Sequence, residues 1–461
     1  MSFTSLNFLL FFPVACVLNY LVPRQWRWVY LLVVSFAFYI NWQPIYALLL
    51  AAVIAITYFA GTKIEDSPKG KNWLIVGILL PLLSLFAFKY YNFINESVFS
   101  LLEMIGLRLK LPEMKALMPI GISFYTFMAI SYMVDVYKEK IKAERNPLMV
   151  ALFLSFFPQV SSGPIGRAGQ LIPQFRNPAV LTRDNLFAGM KWMVWGYFMK
   201  LCIADRWGIY VDTVFSNIAN HNGTTYLLTS FLYTFQIYCD FAGYSLIAIG
   251  VAKIMGIRLM DNFRRPYFAK SIKDFWDRWH ISLSTWLKDY VYIPLGGNRV
   301  SPARHLLNLL LTFLVSGLWH GAAWTFVIWG GIHGLMQIIY TLWRKVVKIN
   351  IPSNLSLLLT FVCVNFAWIF FRAPDLSTAL TVIQGIFVSH GKPFMDTPSL
   401  LNGAIAFGIL ALKDLHDEFN WKISLTGSKN LWVSHFSLAV LIIFILLFGV
   451  FDGGQFIYFQ F

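Results

Sequence analysis

The sequence predicts an all-α polytopic membrane protein, with about 11–13 transmembrane helices plus re-entrant and interfacial helices around a central tunnel. Three observations lead there. The 461 residues are 58% hydrophobic and 18% aromatic, but only 13% charged. Apolar segments recur along the whole chain, and their mean hydropathy lifts the chain average to +0.62. These segments are too long for barrel strands, and lipid-exposed backbone must satisfy its own hydrogen bonds, which leaves helices. There is no room for a large soluble domain. Residues 1–461 are therefore read as one membrane-embedded domain, with a catalytic region at 261–345 and an aromatic tail at 451–461.

The segments fall at 6–22, 28–60, 73–89, 116–135, 147–163, 185–204, 224–255, 306–343, 354–371, 378–389, 401–412 and 431–450. The first lacks a basic leader and a small-residue cleavage site, so it reads as a retained span. The second, seventh and eighth are long enough to cross more than once. No internal repeat is visible, which argues against the commonest transporter architectures.

Lys and Arg total 37 against 22 Asp and Glu, a net charge of +15. The basic residues are scattered between spans and form no stripe, so the excess reports cytoplasmic loops and membrane lipids, and no nucleic acid is expected. Two clusters, Lys138 to Arg145 and Lys253 to Arg278, are expected on the cytoplasmic side. Cys16, Cys202, Cys239 and Cys363 have neither metal-ligand nor redox spacing. They read as small core residues, and no metal or bound cofactor is expected.

Several motifs interrupt the spans. Phe88 to Phe93 ends an apolar segment, with Lys89 placed to snorkel. Pro119 to Thr126 opens another. Phe157 to Arg167 carries two prolines and two glycines and must break its helix, which is tolerated at membrane depth only against protein or water. That places Arg167 at a tunnel or its mouth. Asp240, with Gln236 one turn before it, is a carboxylate inside an apolar segment and needs a partner. An ion pair with an arginine such as Arg167 or Arg264 is the favoured reading, direct catalysis the other.

The run His305–Trp343 holds no Asp, Glu, Lys or Arg, yet carries His305, His320 and His333. An ionisable group that deep is a functional-site candidate, and desolvation favours the neutral imidazole that can accept a proton. The bland alternative is a histidine hydrogen-bonded between helices, and that is the preferred reading for His305 and His333. Just upstream, Ile272, Phe275, Trp276, Trp279, Leu283, Trp286, Leu287 and Tyr290 fall on one face of a helix with His280 at its edge. Such a helix lies in the membrane surface. Tyr292 to Arg299, including Asn298, reads as a tight loop.

Phe275-Trp276-Asp277-Arg278-Trp279-His280-Ile281-Ser282-Leu283-Ser284, then Ile293 to Arg299, then Ser316-Gly317-Leu318-Trp319-His320-Gly321 resemble the membrane-bound O-acyltransferase family. The likeness is to its bacterial branch, which acetylates alginate and peptidoglycan. Two positions depart from the family's habits: Asp277 precedes Arg278 where two basic residues are common, and Leu246 follows Gly243-Tyr244-Ser245 where an acidic residue is common. The resemblance implies that His280 and His320 are the signature histidines, with His320 the catalytic one. It implies acetyl-CoA as donor substrate, location in a bacterial inner membrane, and an extracytoplasmic serine-esterase-like partner that completes transfer to a cell-surface polysaccharide. Trp279 and Trp319 flank the histidines as substrate or tunnel residues.

The tail Phe451 to Phe461 is aromatic, with no charge after Asp452. On composition it is an interfacial anchor. By resemblance, Phe456-Ile457-Tyr458-Phe459 is an acyl-relay motif with Tyr458 as the acyl carrier. No Gly-x-Ser-x-Gly elbow is present, so a hydrolase-like serine is not expected. A polysaccharide or lipid-linked sugar transporter would share the spans and Asp240 but has no need of paired histidines. A lipid O-acyltransferase would need a longer donor and a greasy acceptor.

Overall fold

In the computed structural model, residues 1–42, 44–115, 117–347, 351–421 and 431–451 are described, with Leu431 described by its backbone alone. Among them the regular structure is helical throughout, as the absence of water from a bilayer requires. Six helices are long and apolar enough to cross a membrane, and three shorter apolar helices accompany them. The chain is thus a multi-pass membrane protein. It divides into two compact units, Met1–Gly189 with Val251–Met260, and Met190–Gly250 with Asp261–Phe461.

The first unit opens with α1 (Leu6–Leu21), whose Ser5 side chain accepts from the Phe8 amide as an N-cap. The second apolar segment resolves into α2 (Arg27–Ile40) and α3 (Tyr46–Asp66). Next, α4 (Gly70–Leu85) does not end at Lys89 as expected. A π-turn at Phe86–Tyr90 carries it into α5 (Tyr91–Met104), so the helix absorbs the polar residues instead of stopping. The opening of α6 (Ile122–Tyr137) is as predicted: Gly121 has φ +76, and a Cβ there would lie 1.8 Å from the Val160 carbonyl. The expected break follows, with α7 (Pro147–Ser155), a single turn α8 (Phe157–Val160), a buried loop, and α9 (Ala168–Arg176). Arg145 joins Glu65 and Asp66 at 2.7 and 2.6 Å, tying α7's approach to the end of α3. The 251–260 segment is sewn in by Arg258 and Gln174, which exchange main-chain and side-chain hydrogen bonds at 2.8 and 3.2 Å.

The second unit is built on α10 (Arg183–Tyr197, begun in the first unit), a π-helical stretch at Phe198–Ala204, α11 (Asp205–Ser216) and α12 (Gly223–Ile254). The seventh apolar segment is therefore one helix of 32 residues and not two crossings. Gly243 in its middle makes no turn. It lets α12 approach α10, where a Cβ on Gly243 would meet the Gly196 carbonyl at 2.7 Å. Then come two short helices, α13 (Ile272–Arg278) and α14 (Ile281–Leu287), followed by the long α15 (Pro302–His320) and α16 (Trp324–Val346). The unit closes with α17 (Ser353–Arg372), α18 (Leu376–Val388), α19 (Thr397–Phe419) and α20 (Leu431–Phe448). Asn365 of α17 donates to Thr234 Oγ1 at 2.6 Å and to the Ser230 carbonyl at 2.9 Å, a polar clasp onto α12. Of the cysteines, Cys202 and Cys239 are buried, whereas Cys363 lies on an exposed face of α17 and is not a core residue.

Candidate active site

The amphipathic stretch after Ser271 buries the face that its periodicity marks: Ile272, Phe275, Trp276, Trp279, Leu283, Trp286 and Leu287 are all below a tenth exposed. It is not one helix, however. It stops at Arg278 and restarts at Ile281, and the hinge is His280, with φ 43 and ψ 54. A left-handed backbone at a residue bearing a Cβ costs about 1–2 kcal/mol, so surrounding bonds must hold it. Asn262 supplies them. Its carbonyl accepts from Ile281 N at 2.9 Å, and its side-chain Oδ1 lies 3.2 Å from Ser282 N, 2.9 Å from Ser282 Oγ and 3.1 Å from His280 Nδ1. Its Nδ2 donates to Ser245 Oγ on α12 at 3.0 Å. One residue pair further out, Arg264 N donates to the Arg278 carbonyl at 2.9 Å.

His320 is the last residue of α15, ahead of an extended Gly321. Glycine is needed at 321 because a Cβ would strike the Phe326 ring at 2.1 Å. α15 and α16 run close because Gly317 and Gly330 face each other: a Cβ on either would come within 2.3 Å of a carbonyl on the other helix. That crossing seats Trp329 of α16 against His320, with ring centroids 4.9 Å apart and planes at 89°.

The two histidines meet. Their ring centroids are 6.3 Å apart, and Trp319 lies 5.7 Å from His280. Phe241 packs edge-on against His280 at 4.5 Å, and Phe371 against His320 at 5.4 Å. Trp279 stacks with Phe275 and contacts Trp368. Both histidines are essentially inaccessible, at 0% and 1% exposure. Burial pushes the His280 imidazole down to about 3, so it is neutral over the physiological range. His333, read from the sequence as structural, stands behind Trp329 at 4.8 Å. Its Nδ1 accepts from the Trp276 indole at 3.3 Å. An indole N–H only donates, so the neutral His333 ring carries its proton on Nε2.

The remaining predicted residues are placed as follows. Asp240 is in a buried ion pair, as expected, and the partner that the sequence did not reveal is Lys200, whose Nζ lies 2.5 Å from Asp240 and 2.6 Å from Asp205. Arg264, one of the two partners expected, is instead exposed and 3.7 Å from Asp261. Gln236 rests its amide on Gly208 of α11. Arg167 occupies the N-cap position of α9 in the first unit, without a side-chain capping bond. Asn298 is exposed on the tight turn, where Gly296 and Gly297 have φ +108 and +58. Tyr458 lies outside the described residues.

Sequence reading also missed Asn262 and Glu418. Glu418, at the end of α19, binds Arg265 at 2.7 Å and Arg278 at 3.0 Å, clamping both flanks of the His280 turn. Lys200 left a signal, a cation deep inside an apolar segment nine residues after Lys191. Asn262 and Glu418 left none, since each sits among other polar residues.

A helical membrane protein that buries two imidazoles in one aromatic cage has the groups that a membrane-embedded enzyme uses to move protons. The chain belongs to the MBOAT, membrane-bound O-acyltransferase family, whose model matches residues 138–376, a span that includes both histidines. It is 39% identical over 392 residues to the probable alginate O-acetylase AlgI of Pseudomonas aeruginosa, covering 84% of this chain and 75% of that protein. It is 36% identical over 430 residues to the peptidoglycan O-acetyltransferase of Helicobacter pylori, covering 85% and 79%. A more distant likeness is to the teichoic acid D-alanyltransferase of Bacillus subtilis, 30% identical over 290 residues, covering 60% and 69%.

Proposed function

We propose that this enzyme takes an acetyl group from cytoplasmic acetyl-CoA and passes it across a bacterial inner membrane, for O-acetylation of a cell-surface polysaccharide or exopolysaccharide such as alginate or peptidoglycan. The observation that carries the reading is the meeting of His280 and His320, with ring centroids 6.3 Å apart, inside a buried aromatic cage. The named activities of the relatives, O-acetylation of alginate and of peptidoglycan, supply the acyl group and the acceptor class.

In this reading His320 is the general base. It removes the proton from an acceptor hydroxyl, whose oxygen then attacks the thioester carbonyl. The carbon–sulfur bond breaks, coenzyme A leaves as its thiolate, and the proton held by His320 returns to that sulfur. General-base assistance of this kind contributes about 10²–10⁴-fold. His280 stands on the donor side, next to the basic loop that includes Arg264, Arg265 and Lys270. Trp279 and Trp319 wall the acyl path, and the Asp240–Lys200–Asp205 group stiffens it. Tyr458 supplies the acceptor hydroxyl and carries the acetyl group outward. An extracytoplasmic serine-esterase-like partner then moves it to the polysaccharide, because a chain with this composition has no soluble domain of its own to hold a polymer.

The test is peptide mass spectrometry on purified protein incubated with acetyl-CoA. An acetyl group on Tyr458 in the wild type, absent in His320→Ala at equal expression, is the expected outcome. Undiminished acetyl-CoA consumption by His320→Ala would remove His320 as the base. Consumption without acetyl on Tyr458 would return the tail to an anchoring role and direct the transfer to the partner protein.

A further inference from the structure

The hydrogen bonds around Asn262 decide which nitrogen of His280 carries the proton. The Ser282 backbone N–H can only donate, so the Asn262 atom 3.2 Å from it is the carbonyl oxygen, Oδ1. That fixes the amide's orientation, and the Nδ2 group is then correctly placed to donate to Ser245 Oγ at 3.0 Å. An amide oxygen only accepts. His280 Nδ1, 3.1 Å from the same Oδ1, must therefore bear hydrogen. In a neutral imidazole the other nitrogen, Nε2, then holds the lone pair. The arrangement is built and not incidental: the Asn262 carbonyl also holds Ile281 N at 2.9 Å, and Ser282 Oγ completes the set at 2.9 Å. Every one of these atoms belongs to a buried residue or to the turn whose left-handed backbone places His280.

We propose that Asn262 is a positioning residue that holds His280 as its Nδ1–H tautomer, so that Nε2 is the basic atom this histidine presents during acyl transfer. The proposal rests on the reading of His280 as part of the acyl-transfer site and deepens it. His280 then accepts a hydrogen bond or a proton from donor or acceptor, and does not act as a hydrogen-bond donor to the thioester carbonyl. The opposite tautomer, with the proton on Nε2, is the one His333 adopts behind Trp329. At Nδ1 His280 faces the Asn262 amide oxygen at 3.1 Å, with Ser282 Oγ further off at 3.5 Å and itself 2.9 Å from that same oxygen, whereas His333 faces an indole N–H.

The decisive measurement is the ¹⁵N spectrum of histidine-labelled protein in lipid nanodiscs, with His280 assigned by difference from His280→Asn. The expected result is a protonated Nδ1 and an unprotonated Nε2 for His280 in the wild type. Asn262→Leu, which keeps the volume and removes the acceptor, is expected to mix or invert that pattern and to lower kcat about 10–100-fold, the usual effect of losing a partner that orients a histidine, with a smaller change in KM for acetyl-CoA. Asn262→Asp, which keeps an acceptor oxygen, is expected to restore the protonated Nδ1. A wild-type His280 protonated on Nε2 alone would overturn the proposal, as would an Asn262→Leu protein with an unaltered ¹⁵N pattern. The tautomer is read without turnover, so a failure of the acyl-transfer reading through His320→Ala leaves this test standing.

Discussion

At the scale of single residues, the site is governed by what burial does to imidazole. His280 is wholly buried, and desolvation lowers its folded value to about 3 from an ordinary 6.5. The sign of the pH effect follows. The unfolded chain takes up a proton near 6.5 and the folded chain does not, so the neutral ring contributes stability above that value, and the contribution is lost as pH falls towards 3. Thermal midpoints measured at about pH 7 and about pH 4.5 should therefore fall for the wild type by more than for His280→Asn, which has nothing to protonate there. An equal fall in both proteins would mean that His280 is more solvated than its burial indicates.

At the scale of elements, two packing devices carry the second unit. The first is the Lys200–Asp240–Asp205 group, which joins the π-helical stretch, α12 and the start of α11. Lys200→Met leaves two carboxylates together without their cation, a loss of about 3–5 kcal/mol by analogy with other broken buried pairs. The triple replacement with Asp205→Asn and Asp240→Asn should recover much of it, measured by thermal unfolding in one detergent. The second device is the glycine contact between α15 and α16. Gly330→Leu would place side-chain atoms where the Phe313 carbonyl already lies 2.3 Å from an added Cβ. It should lower the yield of monodisperse protein and abolish acetyl transfer, whereas Gly331→Ala, with its nearest neighbour at 3.7 Å, should be tolerated. These elements also show how far the sequence could be read. The helical class and the order of the apolar segments were legible because a bilayer imposes length and composition, whereas the expected 11–13 spans compare with six helices long and apolar enough to cross among the described residues. The break at His280 was not, since the apolar face from Ile272 to Leu283 keeps its helical period straight through it. The continuity of α12 was hidden by its length, since a 32-residue apolar stretch is long enough to cross more than once. The pairing of His280 with His320 was legible through the family motifs alone, because no periodicity relates the hinge before α14 to the end of α15.

At the scale of the whole molecule, the distribution of charge makes a prediction about orientation. The loops that carry Lys142 and Lys270, both exposed, are expected on the cytoplasmic side, the side from which the proposed donor would enter. Single cysteines placed at those two positions in a cysteine-free background should react with an impermeant maleimide in inside-out vesicles and stay unlabelled in intact spheroplasts. Labelling of both in spheroplasts would reverse the topology and put the His280 side of the site outside the cell.

The clamp made by Glu418 bears on the order in which the enzyme is assembled during synthesis. The chain is made from its N-terminus, so the turn bearing His280, and then α15 with His320, leave the ribosome before α19 exists. Arg265 and Arg278, which flank that turn, find Glu418 only when α19 has entered the membrane. A nascent chain halted before α19 would thus hold both histidines and the whole aromatic cage, yet leave two arginines beside the hinge without their shared carboxylate. The hinge that carries His280 is thus clamped only after α19, the last of the long apolar helices of the described chain, has been made.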